Sequence, residues 1–300
     1  MPAFSVPVSV AGYYAGGGTQ SNIDRIAFPA DTKTTLSATL STAANVDAGG
    51  MANSGTAGYL CAGEDAGGKL SRIDKIAFPA ETRTTLSATI STALNHNAAM
   101  ANSGTAGYAG GGNDSVNISG IDKITFSADT KTTLSATLTS ARQQFSAMAN
   151  SGTAGYFGGG NAGSYLSGID KITFPADTKT TLSATLTSAR RYTGGMANSG
   201  TAGYFGGGDT GAGFTSGIDK ITFSADTKTT LSATLTSARY AVAGMANSGT
   251  AGYFGGGEDS VADTSGIDKI AFSADTKTTL SATLTSARRF LAGFADSGPL

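Results

Sequence analysis

Residues 146–190 read SAMANSGTAGYFGGGNAGSYLSGIDKITFPADTKTTLSATLTSAR, and this stretch decides the fold. It opens on small residues, SAMAN, which suit a strand where several sheets crowd together. Ser151-Gly152-Thr153-Ala154 follows as a tight hairpin signal. Tyr156 and Phe157 then lead into Gly158, Gly159 and Gly160, whose missing Cβ permits a sharp exit or close backbone approach. Ile169 to Phe174 is short, β-branched and aromatic, with apolar residues on both faces, as in a strand held between neighbouring sheets. Pro-Ala-Asp-Thr-Lys supplies turn formers. The last piece alternates: in the copy at Thr132 to Leu138, Leu134, Ala136 and Leu138 share one face, and Thr133, Ser135 and Thr137 the other. A half-solvated outer strand has that pattern. Four short strands joined by hairpins make one antiparallel sheet, and no stretch of ten residues carries a helical period.

The same unit recurs along the whole chain. Its GYFGGG-type segment begins at Gly12, Gly58, Gly107, Gly155, Gly203 and Gly252, spaced 46 to 49 residues apart. The six units account for residues 1–300 as a single domain and leave no room for a separate catalytic one. The first unit starts at the second strand, and Phe290 to Gly298 (FLAGFADSG) supplies the missing first strand at the other end. That offset is productive only if the ends meet. The expected fold is therefore all-β: a six-bladed β-propeller with four antiparallel strands per blade. Its C-terminal first strand joins the N-terminal strands to close the ring.

The composition is Gly-rich (43), with no Trp, one His, one Cys and a formal net charge of −1. Dispersed Lys and Arg leave no basic stripe, so nucleic acid is not an expected partner. No apolar run is long enough for membrane insertion. Met1 to Val10 has no Lys or Arg ahead of its apolar residues and does not read as a secretory signal. These features predict a soluble chain, with a virion or an extracellular surface as its expected setting. Cys61 has no second cysteine to pair with, and His96 reads as a surface residue without a role. A lone His and a lone Cys exclude metal sites built on pairs of them. The acidic loop residues lack EF-hand spacing, and the Gly triplets lack the Lys-Ser/Thr of a phosphate loop. No metal or cofactor is expected.

Taken in order, an aromatic strand ending in Gly-Gly, a third strand followed by Asp and an outer strand leading to Arg resemble the kelch repeat. In residues 146–190 the landmarks are Tyr156, Gly158 to Gly160, Ile169 to Phe174, Asp177 and Arg190. The resemblance covers the full length, although TTLSATL stands where kelch outer strands usually carry Trp. It implies a propeller and places the recurring arginine near the mouth of the central channel. The near-identity of the copies points to recent duplication or deliberate engineering. The regular Gly-rich array is also loosely similar to repetitive phage virion and bacterial surface proteins.

Differences between copies localise candidate function. The stretch before Ile-Asp-Lys/Arg runs from 4 residues in the first repeat to 8 or 9 in the others. A second variable patch follows the outer strand: residues 45–47, 95–97, 143–145, 191–193, 240–242 and 289–291. Just before it, Arg142, Arg190, Arg239 and Arg288 recur, whereas the first two repeats carry Ala44 and Leu94. A positive rim able to meet a carboxylate or phosphate is one reading of these arginines. The other is structural, with each guanidinium satisfying loop carbonyls between blades. The loop aromatics Tyr165, Phe214, Tyr240 and Phe290 are candidate stacking platforms for a surface glycan. The Ile-Asp-Lys aspartates recur in every repeat, which points to packing or hydrogen bonding, because one active site needs only one copy. The expected function is a non-catalytic structural or protein-binding module, engaging a protein partner or another copy of itself, as a virion or surface-appendage component. The alternative is a glycan-binding propeller.

Overall fold

A computed structural model describes residues 10–42 and 47–296. Ala44, Asn45, Val46, the segment before Val10 and the last residues of FLAGFADSG lie outside the described residues. The described residues contain strands and no helix. They form six four-stranded antiparallel sheets arranged as a ring. The innermost strands are Ala292–Asp296, Gly49–Asn53, Ala98–Asn102, Ser146–Asn150, Gly194–Asn198 and Ala243–Asn247, in blades 1 to 6. Each packs against the next around the axis, and the last meets the first. Blade 1 joins Ala292–Asp296 to Ala11–Ala15, with Ala11 opposite Asp296 and Ala15 opposite Ala292. The C-terminal strand thus closes the propeller.

Each blade grips the next in the same way. The tyrosine of each second strand stacks on the phenylalanine ending the next blade's third strand: Tyr59 on Phe126 at 4.9 Å, Tyr108 on Phe174 at 4.8 Å, and Tyr253 of blade 6 on Phe28 of blade 1 at 5.1 Å. The same hydroxyl donates to a carboxylate in that neighbour's turn, as in Tyr108 to Asp177 (2.8 Å) and Tyr253 to Asp31 (2.7 Å). At five junctions a lysine beside the tyrosine meets the other carboxylate oxygen, as in Lys123 to Asp177 (2.7 Å) and Lys269 to Asp31 (2.6 Å), whereas between blades 1 and 2 Arg25 Nε lies 2.7 Å from the Glu81 oxygen that Tyr13 also bonds. At five junctions the methionine of the inner strand lies over the glycine preceding the next blade's tyrosine, and Phe294 takes that place over Gly58. A Cβ on Gly155 would sit 2.1 Å from the Met100 sulfur, which is why glycine stands there.

The outer strand differs from its sequence pattern. Burial alternates through Leu134, Ala136 and Leu138 as expected, but the ladder covers only Thr130–Thr133. Beyond it, Leu134 N bonds Ile121 O and Leu138 N bonds Ser119 O, both at 2.9 Å. Four residues on one side thus span two on the other, and the extra length breaks regular pairing. Only blade 1 keeps a longer outer strand, Thr32–Thr39.

One blade carries a local conflict. Tyr14 occupies the position held by Phe157, Phe205 and Phe254, is fully buried, and its hydroxyl has no hydrogen-bond partner among the described residues. Burial holds that phenol well above its ordinary pKa. Tyr14→Phe is expected to raise stability by about 1–2 kcal/mol, because the desolvation penalty of an unpaired hydroxyl disappears while the ring remains. Urea unfolding measures it; a less stable variant would show that the hydroxyl is satisfied in solution.

Candidate functional site

Both variable segments converge on one face. The loop between second and third strands lies beside the connection from outer strand to next inner strand. Bridges link them at Asn95–Asn113, Gln143–Asn161 and Arg191–Asp209, and a short pairing joins Arg239–Tyr240 to Glu258–Asp259. The opposite face carries the repeated turns. There Ser54 N bonds Ser103 Oγ, Ser103 N bonds Ser151 Oγ and Ser151 N bonds Ser199 Oγ, all at 2.9–3.0 Å.

At the variable face the channel mouth is ringed by one residue from each blade junction: Asp47, His96, Gln144, Tyr192, Ala241 and Phe290. All six hold a positive φ of 55–62°. Their backbones form a belt, with Asp47 N donating to Phe290 O (3.1 Å), Phe290 N to Ala241 O (3.2 Å) and Ala241 N to Tyr192 O (2.8 Å). It continues from Tyr192 N to Gln144 O (2.6 Å) and from Gln144 N to His96 O (3.0 Å). Between His96 and Asp47 the side chains meet instead, Nδ1 to Oδ2 at 2.9 Å. His96 is therefore part of the mouth, with an acidic partner, and not an isolated surface residue. Sequence reading missed this because Asp47 lies a whole repeat away. These residues enclose a cavity of about 100 Å³. Burial raises the Asp47 carboxyl above the usual range, with the His96 contact pulling the other way. Burial likewise raises the Tyr192 hydroxyl, helped by the nearby Asp47 charge.

Half of the mouth is aromatic. Tyr192 lies 5.1 Å from Phe290 and 5.6 Å from Tyr240, and Phe214 lies 4.6 Å from Tyr240. Arg191 stacks over Tyr165 (4.8 Å) and Tyr192 (5.2 Å), and Arg289 over Phe290 (5.2 Å). Each arginine is held by acids: Arg191 Nε bonds Asp209 at 3.0 Å, while Arg289 pairs with Glu258 and lies 3.8 Å from Asp263. Of the four predicted aromatics, Phe290 lines the cavity, Tyr240 and Phe214 lie beside it, and Tyr165 joins through Arg191. Desolvation opposes ionisation of Asp209, but the Gly211 amide, Tyr165 and Arg191 hold its pKa below the usual value. Tyr192, Arg191 and Arg289 are the functional candidates that sequence reading did not single out. Their segments, 191–193 and 289–291, were visible in the sequence as part of the second variable patch, but not that they meet.

The recurring arginines are elsewhere. Arg142, Arg190, Arg239 and Arg288 are 1–2% exposed and lie inside the blades. Their Nη2 atoms bond Asp170 (3.1 Å), Asp219, Asp268 and Asp24 (each 2.9 Å), together with a second-strand carbonyl such as Phe157 O at 3.1 Å. They form no exposed rim, because each answers a buried carboxylate of its own blade. The same aspartates accept from the preceding connection, as Thr139 N and Oγ1 do to Asp170. Burial opposes their ionisation, but these hydroxyl and amide bonds and the arginine hold Asp24 and Asp170 below the ordinary aspartate pKa. A depressed folded pKa gives stability present above the unfolded value of about 3.9 and lost as pH falls through the folded value. Calorimetry is expected to show a melting temperature that drops below about pH 4; a flat profile down to strong acid would contradict this.

Among the described residues, no group of three or more His, Cys, Asp or Glu is placed to hold a metal ion, and no helix is long and apolar enough to cross a membrane. No protein-family model matches the chain, and no curated protein matches its sequence.

Proposed function

We propose that this propeller is a non-catalytic binding module that engages its partner with the variable face around the channel mouth. One observation carries the reading: the residues that differ between blades gather at that mouth. The repeated carboxylates, arginines and tyrosines are consumed inside and between blades. A rigid ring presenting variable loops is a common arrangement for recognition. The partner class we favour is a protein surface or a second copy of the chain, in a kelch-like component of a virion or surface appendage. Clasps repeated at every blade junction, closed into a ring by the C-terminal strand, suit such a durable part. A surface glycan is the second reading, favoured by the tilted Phe214–Tyr240 pair and the stacked Arg191 and Arg289, since aromatic faces and planar polar groups are what a sugar ring meets.

The test compares the wild type with a Tyr192→Ala, Tyr240→Ala, Phe290→Ala triple variant, using native mass spectrometry for self-assembly and a glycan array for sugars. Assembly or sugar binding lost in the variant supports the mouth as the binding face and identifies the class. Assembly or binding that survives unchanged places recognition elsewhere and overturns the proposal.

A further inference from the structure

We propose that the slot beside Asp122, between blades 2 and 3, binds a small guanidinium compound. The inference is independent of what the mouth recognises. In every blade a basic side chain approaches Oδ1 of the third-strand aspartate, as Lys131 does to Asp122 (3.6 Å) and Lys179 to Asp170 (3.9 Å). In four blades a guanidinium also bonds Oδ2. Blade 2 obtains one from a different position, with Arg72 Nε 3.6 Å from Asp74 Oδ2. Blade 3 stands apart: Leu94 replaces the arginine, and Asp122 Oδ2 receives only the Ser91 amide (2.6 Å).

The space was not closed by repacking. Ala109 stands where blades 4, 5 and 6 carry Phe157, Phe205 and Phe254, so a ring as well as a guanidinium is missing. A cavity of about 50 Å³ remains, lined among others by Leu94, Ala109, Gly120 and Asp122. That is several times the ~10–15 Å³ needed for one water. Its lining includes the residues that correspond by repeat position to what a buried arginine uses elsewhere: Asp122, together with Ala109 and Gly120, which stand where Phe205 and Gly217 offer their carbonyls to Arg190 (3.2 and 3.5 Å). Ser91 and Thr133, both exposed, mark its opening. A planar cation with N–H donors in one plane fits a carboxylate and carbonyls so arranged, as the arginines of blades 1, 4, 5 and 6 do.

The test titrates methylguanidinium chloride into the protein at concentrations far below denaturing, at constant ionic strength, with NMR and thermal melting as readouts. The wild type is expected to show one saturable site, with shifts confined to Ser91, Leu94, Ala109 and Asp122, and sodium chloride is expected to reproduce none of it. Leu94→Met, similar in volume, is expected to retain the site. Leu94→Arg supplies the guanidinium from within and is expected to fold, melt higher and weaken binding at least about tenfold. Absence of saturation in the wild type, undiminished binding by Leu94→Arg, or failure of that variant to fold would each overturn the proposal.

Discussion

Ending the chain after Leu291 is expected to leave no folded monomer. The deletion removes Ala292–Asp296, the innermost strand of blade 1, whose partner Ala11–Ala15 then keeps an unpaired edge. It removes Phe294, 3% exposed and stacked on Tyr13 at 5.2 Å, a ring whose loss alone is worth about 3–5 kcal/mol. It also breaks packing on both sides, because the strand touches Gly49–Asn53 and Ala243–Asn247. A total stability of about 5–15 kcal/mol does not survive that sum, and the bare edges offer a template for pairing with other chains. Size-exclusion chromatography and circular dichroism are expected to show aggregates or unfolded chain. A peptide spanning residues 288–298 added in trans is expected to restore the monomer by strand addition. A truncated chain that stays monomeric with an unchanged melting temperature would show that the ring does not depend on this strand.

Asp219→Ala is expected to destabilise the protein by about 3–5 kcal/mol, far more than a surface aspartate would. Asp219 accepts from Thr187 N (2.8 Å), Thr187 Oγ1 (2.6 Å), Thr230 Oγ1 (2.9 Å) and Arg190 Nη2 (2.9 Å). Removing it strands the Arg190 guanidinium, 2% exposed, without a counter-charge. An unpaired buried charge is the dominant part of the loss, so Asp219→Ala combined with Arg190→Met is expected to recover more than half of it. Blade 3 provides an internal control. Asp122 bonds Ser91 and Thr133 but no arginine, so Asp122→Ala is expected to cost clearly less. Chemical denaturation of the three variants decides it, and equal losses at Asp122 and Asp219 would refute the buried-charge account.

The blade plan was legible because each strand's signal is local. The aromatic Gly-Gly strand, the Ile-Asp-Lys strand and the Ser-Gly hairpin each show within a few residues, and six copies repeat them. Ring closure was legible from the offset of the terminal copies, and Ala292–Asp296 pairs as that offset requires. The outer ladder was only half legible: alternation reports which side is buried, but not that two extra residues accumulate after Thr133. The arginines stood open between two readings for a different reason. Arg190 and its carboxylate lie 29 residues apart, so no local pattern distinguishes a buried pair from an exposed rim. The mouth was the least legible part. Tyr165, Phe214, Tyr240 and Phe290 were visible as loop aromatics, but their assembly with Tyr192 and His96 requires the circular arrangement of blades.

The belt around the mouth behaves as a type frame with six slots. Main-chain atoms hold five of its six links, so the letters at Gln144, Tyr192, Ala241 and Phe290 can be exchanged without recasting the frame, while His96 and Asp47 close the sixth link with their side chains; the chain already shows six different letters: Asp, His, Gln, Tyr, Ala and Phe. The positive φ limits the alphabet, because β-branched side chains tolerate that backbone poorly and Asn, Asp and Gly tolerate it well. The surface of the mouth can therefore be rewritten at those four slots, by selection or by a combinatorial library, with Val, Ile and Thr as the letters the frame refuses.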